Sequence, residues 1–311
     1  MRAILARLAL VLGVFALAAS AVAIFWGHDA ARRIPLNTDS YTRLTGTASG
    51  LLTKSEGTVP VTYITHTQVD PNASNGDVIA IQQTSCVATT TEYCIDAKGN
   101  FVLAATDDAV VNIGLNKFAL DRNGSLAVKD QAKWIKDTSE VKPYEGVVIK
   151  FPFGVEKKSY PYWDGTLGKA VTATYAGTRT IDGLETYKFT VDIPATDAEI
   201  AEGTEGTYAA TQTIYVDPTT GAFIDQSGTQ TVALPDGTSV LDIDVTYTDA
   251  TIKANVDQAK DNGRSLWLVD VVVRWGGLVL GIALIALAVF LLRRPKADAT
   301  PAKRERVLTH A

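Results

Sequence analysis

The chain has 311 residues, 46% hydrophobic and 20% charged, with a formal net charge of −5. Residues 28–272 hold 20 Lys+Arg against 32 Asp+Glu, a net −12, whereas residues 293–311 are basic. An acidic body repels polyanions, which excludes nucleic acid and anionic lipid headgroups as broad-face partners.

In chain order, the first element is an apolar helix over 4–26, interrupted only by Arg7 near its start and ending on Trp26. Ala19-Ser20-Ala21 and Ala21-Val22-Ala23 resemble signal-peptidase sites, yet about 20 unbroken apolar positions are long for a signal core and favour a retained anchor. The last long element is a second apolar helix over 271–292. At ~1.5 Å per residue it reaches ~33 Å, enough to cross a hydrocarbon layer of ~30 Å. Arg274 and Trp275 suit its interfacial end. Arg2 and Arg7 precede the first span, and Arg293, Arg294, Lys296, Lys303, Arg304 and Arg306 follow the second. The positive-inside rule therefore puts both termini in the cytoplasm and the middle outside the plasma membrane, although Arg32 and Arg33 oppose it weakly. The basic tail reads first as a solvated stop-transfer flank and second as a contact for anionic lipid.

The expected layout is a cytoplasmic end and span at 1–27, a β-rich extracytoplasmic domain at 28–250, a juxtamembrane helix and second span at 251–292, and a tail at 293–311. Strand-like alternation of Val, Ile, Thr and Tyr runs through 59–67, 77–82, 101–105, 172–180, 184–193, 212–216, 222–234 and 239–247. Asp121-Arg-Asn-Gly124, Asp182-Gly183, Asp217-Pro-Thr-Thr-Gly221 and Pro235-Asp-Gly237 mark turns. The fold class is thus mainly β, flanked by two transmembrane helices. Residues 37–47 read as the incoming linker, and Asp249 caps a helix running toward Leu266. The stretches 116–124 and 213–221 share a strand, an Asp and a turn closing on Gly. They suggest two similar antiparallel lobes, 38–130 and 144–250.

Cys86 and Cys94 lie in the exported part, where an oxidising compartment favours a hairpin disulfide over a redox pair. The chain closed between them is short, so the bond contributes about 2–3 kcal/mol. Gly277 and Gly281 form a Gly-xxx-Gly pair that permits close helix packing, with Ala9 and Gly13 as small counterparts on the first span.

Catalytic signals are sparse. The three histidines are His28, His66 and His310, no zinc-ligand spacing or phosphate loop is present, and His66 reads as an exposed imidazole on a Thr-rich strand. Asp164, Glu156 and Asp244 are conceivable acid–base partners, but solvated surface acids are the commoner case. The expectation is a non-enzyme without cofactor or metal.

The densest segment is 151–165. Phe151, Phe153, Tyr160, Tyr162 and Trp163 with Lys157 and Lys158 could form a ligand platform, the aromatic faces for sugar rings or acyl chains and the lysines for an anionic group. The competing reading is a rigid corner with its aromatics in the core.

Phe151-Pro-Phe-Gly-Val-Glu-Lys-Lys-Ser-Tyr-Pro-Tyr-Trp-Asp164, Gly183-Leu-Glu-Thr-Tyr-Lys-Phe189, Tyr215-Val-Asp-Pro-Thr-Thr-Gly221 and Ala259-Lys-Asp261 together resemble the actinobacterial family of PorA-like porins, first catalogued as a domain of unknown function. The resemblance covers nearly the whole chain. It implies a two-span cell-envelope protein connected with assembly of lipomannan and lipoarabinomannan, and supplies no catalytic residues. The expected function is accordingly non-enzymatic: an ectodomain that binds, presents or scaffolds lipid or lipoglycan, with the bilayer and a lipoglycan or membrane glycosyltransferase as partners. The alternatives are a pore-forming protein and a glycan-processing enzyme. Short, Thr- and Asp-rich strands read as a water-soluble body rather than a lipid-facing barrel.

Overall fold

A computed structural model describes residues 2–89, 94–95, 108–136 and 141–293. The strand expected over 101–105 and the tail from 294 onward lie outside the described residues. The chain divides into two compact units, the terminal helices (through His28, and from Trp267) and a β unit, Asp29–Leu266.

In the β unit, β1 (Asp39–Ser49), β2 (Val59–Asp70), β3 (Val78–Ala88) and β4 (Val110–Asp121) form one wing. The other wing is β5 (Tyr160–Asp164), β6 (Lys169–Ile181), β7 (Leu184–Ala201), β8 (Thr204–Val216), β9 (Phe223–Ala233) and β10 (Ser239–Tyr247). All ten join in one antiparallel sheet, order β4-β3-β2-β1-β10-β9-β8-β7-β6-β5, rolled into a half-barrel. The lobes expected over 38–130 and 144–250 are therefore wings of a single sheet, joined where β1 pairs β10. Because that pairing is antiparallel, with Leu44 opposite Tyr247, the chain enters and leaves the sheet side by side at one end.

The segment read as a linker over 37–47 is mostly the central strand β1. Its sequence hides this, since of the four residues on its core face, Thr42, Leu44, Gly46 and Ala48, only Leu44 is a large apolar side chain. Gly46 is required there, because a Cβ would sit 1.8 Å from the Asp244 carbonyl oxygen.

Period two sets the faces. Phe189, Val191 and Ile193 of β7 face inward with Tyr208, Ala210 and Ile214 of β8, all at most 5% exposed. Lys188, Thr190 and Asp192 alternate with them on the outside. The outer face also receives α4 (Asp249–Trp267), whose Val256 and Ala259 cover Ile224.

The two sheet edges do not pair directly. The connection between β4 and β5 links them through bridges Leu120↔Ala127, Leu126↔Val147 and Val147↔Tyr162. It includes a short helix, α3 (Gln131–Trp134). The Gln131 side chain pairs with both the N–H and the C=O of Ala119, covering the β4 edge as a strand would.

Cys86 and Cys94 form a disulfide (S–S 2.02 Å) packed with Ile64 and Ala88.

In the terminal unit, α1 (Arg2–Val22) packs on α5 (Gly277–Leu292); π-helical turns follow α1 at Ala23–Gly27 and precede α5 at Leu268–Gly276. A short helix, α2 (His28–Ala31), follows the first of these turns. Both helical stretches, Arg2–Ala31 and Asp249–Leu292, contain a segment long and apolar enough to cross a membrane, an 18-residue window of mean hydropathy 2.6 in each. Gly277 and Gly281 lie at the contact. A Cβ on Gly281 would meet the Leu17 side chain at 2.7 Å and the Gly13 carbonyl at 3.0 Å, and one on Gly277 the Ala16 carbonyl at 3.1 Å. The glycines are what lets these backbones approach.

Candidate functional site

The aromatic-lysine segment is built as a lock between two turns. Phe151 N–H donates to Gly221 O (2.8 Å), Gly154 N–H to Thr219 O (3.0 Å) and Val155 N–H to Pro218 O (2.8 Å). The Asp217-Pro-Thr-Thr-Gly221 turn is held in shape by Asp217, 2% exposed, whose carboxylate accepts from the Thr220 amide (2.9 Å) and hydroxyl. Asp121 does the same for the other turn, accepting from the Asn123 and Gly124 amides. The similarity seen between 116–124 and 213–221 is thus a shared Asx-turn chemistry. Both turns grip the connection that closes the half-barrel.

Most of the sequence-predicted platform lies in the core. Phe151 is 0% exposed, with ring centroids 4.5 Å from Phe189, 5.2 Å from Tyr160 and 5.9 Å from Phe223. Tyr160 and Tyr162 face inward from β5, and Tyr162 OH donates to Gln212 Oε1 (3.1 Å). Trp163 points to the opposite side of β5, against Tyr144 at 4.7 Å and the Phe118 cluster. Phe153 is half-buried beneath the Lys150 ammonium, while Lys157 and Lys158 are exposed, over the Tyr187 and Tyr160 rings. Lys158 also pairs with Glu156 at 2.7 Å. The structure does not bring the seven side chains together on one surface.

Asp164 is 4% exposed and fully occupied: it accepts from Tyr208 OH (2.9 Å) and from the Thr166 and Leu167 amides (3.1 and 2.7 Å). Glu156 and Asp244 are exposed. Among the described residues no three His, Cys, Asp or Glu converge as a metal site. The His66 imidazole, expected in solvent, is 8% exposed: it lies flat on Tyr41 (4.1 Å) and donates from Nε2 to Asp39 Oδ1 (2.7 Å).

Sequence reasoning missed Lys150. Its ammonium donates to Ser125 Oγ (3.0 Å) and Phe151 O (3.1 Å) and caps the Phe153 ring at 3.6 Å, tying the two turns through one side chain. Burial pushes its pKa down from the ordinary lysine value to about 7, against the pull of Asp217. The charged form is therefore the disfavoured one in the fold. The Lys150 contribution to stability is lowest below pH 7, rises as pH climbs from about 7 toward the unfolded lysine value of 10.5, and levels off above it. Lys150→Met should flatten that slope, a change of about 2–4 kcal/mol across the window, measured by denaturant melts at pH 6 and pH 9.

Within the terminal unit, polar groups gather near the π-helical turns. His28 Nδ1 lies 2.9 Å from Asp270 Oδ1, and Ser20 Oγ donates to the Arg274 carbonyl. The 16 residues of α5 carry no polar side chain.

These features define a class: a membrane protein with two helical spans enclosing a single, interior-packed β-sheet domain. The sequence profile described as Porin PorA matches residues 5–290, so the chain belongs to that family. A "Porin PorA" of Corynebacterium amycolatum is 31% identical over 94 residues, 27% of this chain. The match takes in 24% of that relative, so the chain spans about a quarter of the length of the curated relative it matches. The Aeromonas veronii immune modulator A aligns over 71% of this chain and 99% of its own at 10% identity and TM-score 0.14, a likeness too slight to carry any argument.

Proposed function

We propose that the protein is a non-enzymatic, porin-like component of the cell envelope, with its termini in the cytoplasm and its β unit outside the plasma membrane. The family match across both spans and the whole sheet carries this reading. The sheet is a poor candidate for the pore wall. A membrane barrel turns apolar side chains to lipid and polar ones to its lumen, whereas here Phe189, Val191 and Ile214 point in and Lys188, Thr190 and Thr213 point out. Conduction is therefore assigned to spans of several copies side by side. In such an assembly the polar groups Asp270 and Arg274 line the outer mouth, and apolar α5 makes a constriction that gates by dewetting. Purified full-length protein in planar bilayers should give discrete conductance steps, and Leu280→Ser should raise their frequency. A silent bilayer at every protein concentration overturns the reading.

The same inward apolar packing favours a second reading, in which the β unit presents or scaffolds lipid or lipoglycan, or holds a glycosyltransferase, without conducting. It predicts co-purification of glycolipid or a membrane enzyme with the full-length chain and no conductance. Protease added to intact protoplasts should remove the β unit and spare the termini under both readings.

A further inference from the structure

Three strands end together in a row that neither reading uses. On the outer face, Asp39 of β1 is opposite Gln68 of β2, which is opposite Gln82 of β3, so the three side chains form a line about 10 Å long at ordinary strand spacing. This row floors an open depression of about 780 Å³. One wall is the chain entering β1, with Leu36 and Asn37, and the other is the β2–β3 turn, with Asp70 and Pro71.

Asp39 is held in place from behind. Its Oδ1 accepts from His66 Nε2 (2.7 Å) and its Oδ2 from Gln68 Nε2 (3.1 Å). His66 cannot turn away, because it is buried flat against Tyr41. The hydrogen bonds from His66 and Gln68 also hold the Asp39 carboxyl below its ordinary pKa. Yet the Asp39 side chain remains 57% exposed, and Asp39 lines the depression. A surface carboxylate oriented by a buried imidazole and a neighbouring amide is a supported recognition group rather than a free surface acid.

The lining decides the ligand chemistry. Two carboxylates, Asp39 and Asp70, line it and disfavour anions, while Lys117 of β4 continues the row beyond Gln82, outside that lining; no three convergent metal ligands occur among the described residues. Its polar groups are mixed: carboxylates that only accept, and amides of Asn37, Gln68 and Gln82 that both donate and accept. An ammonium or guanidinium ligand offers donors alone and leaves amide N–H groups unmatched. Hydroxyl groups do both. Leu36 and Pro71 supply apolar patches for the C–H face of a ring.

We propose that this depression is a binding site for a neutral, polyhydroxylated ligand of the saccharide class, with Asp39, Gln68 and Gln82 as its contact row. The site is independent of whether the spans conduct and lies on strands apart from the 151–163 segment. Full-length protein in detergent is titrated by saturation-transfer NMR and calorimetry with maltose, cellobiose and sucrose, and with lysine methyl ester and phosphate as charged probes. At least one disaccharide should bind saturably, and Asp39→Ala and Gln82→Leu should each weaken it about tenfold or more. Gln82→Leu leaves the Asp39–His66 brace intact, so an unchanged melting curve with lost binding separates recognition from misfolding. No saturable binding by any disaccharide, binding untouched by both substitutions, or binding of lysine methyl ester alone would each overturn the proposal.

Discussion

Replacing Gly221 by alanine is expected to destabilise the β unit by about 3–4 kcal/mol, while the same change at Gly154 should cost only about 1 kcal/mol. Both glycines have positive φ, +77° and +68°, so both substitutions carry the left-handed penalty of an L side chain. They differ in what surrounds them. A Cβ at 221 would meet Phe151 O at 2.1 Å and Pro152 O at 2.4 Å, whereas nothing lies within 4 Å of one at 154. The obstacle at 221 is backbone, so it yields only if the turn withdraws and the three bonds from Phe151, Gly154 and Val155 lengthen. Denaturant melts of both variants give the comparison directly. Equal losses would mean that the clasp is not what fixes the connection.

Phe151→Ala should cost about 3–5 kcal/mol by the same measurement. Phe151 is one of the largest fully buried side chains, and its ring touches three other aromatic rings drawn from β5, β7 and β9. Strands on both sides of it can close only partly into the space it leaves, because the connection is tethered at Gly221 on one side and at Pro161 on the other, where Val147 N–H donates 2.8 Å to the carbonyl. Lys157→Ala, a few residues away, should change stability little, since its ammonium sits exposed over Tyr187. A core role for Phe151 predicts this contrast. A surface platform would predict small stability losses at both positions.

The β-rich class, the two spans and most strand positions are legible in the sequence because Val, Ile and Thr alternate between clear turn signals. The strand expected over 239–247 matches β10 in full, and those over 59–67 and 77–82 mark β2 and β3, which run further. Gly277 and Gly281 are legible too, since a span offers few other reasons for paired small residues. β1 was hidden for a physical reason: its core-facing positions hold Thr42, Leu44, Gly46 and Ala48, and one large apolar side chain in four makes no hydrophobic alternation. That concealment also hid the candidate site, because Asp39 acquires its neighbours only through the β1–β2–β3 register. The aromatic segment posed the opposite difficulty. Aromatic density marked 151–165 as unusual, but period two alone cannot say which face of a five-residue strand meets the core. In β5 it is both, with Tyr160 and Tyr162 to one side and Trp163 to the other. The closure by 125–128 and 146–148 is non-local, and no local pattern announces it.

A sheet that encloses its own apolar core, rather than forming a membrane-spanning wall, should fold without lipid. Residues 29–266, produced without the two helices and kept in detergent-free buffer, test this most directly by sedimentation and circular dichroism. A soluble, monodisperse, β-rich species with one cooperative melt is the expected result. A fragment that stays in solution only with detergent or lipid, and folds only on transfer into bilayers, would contradict it.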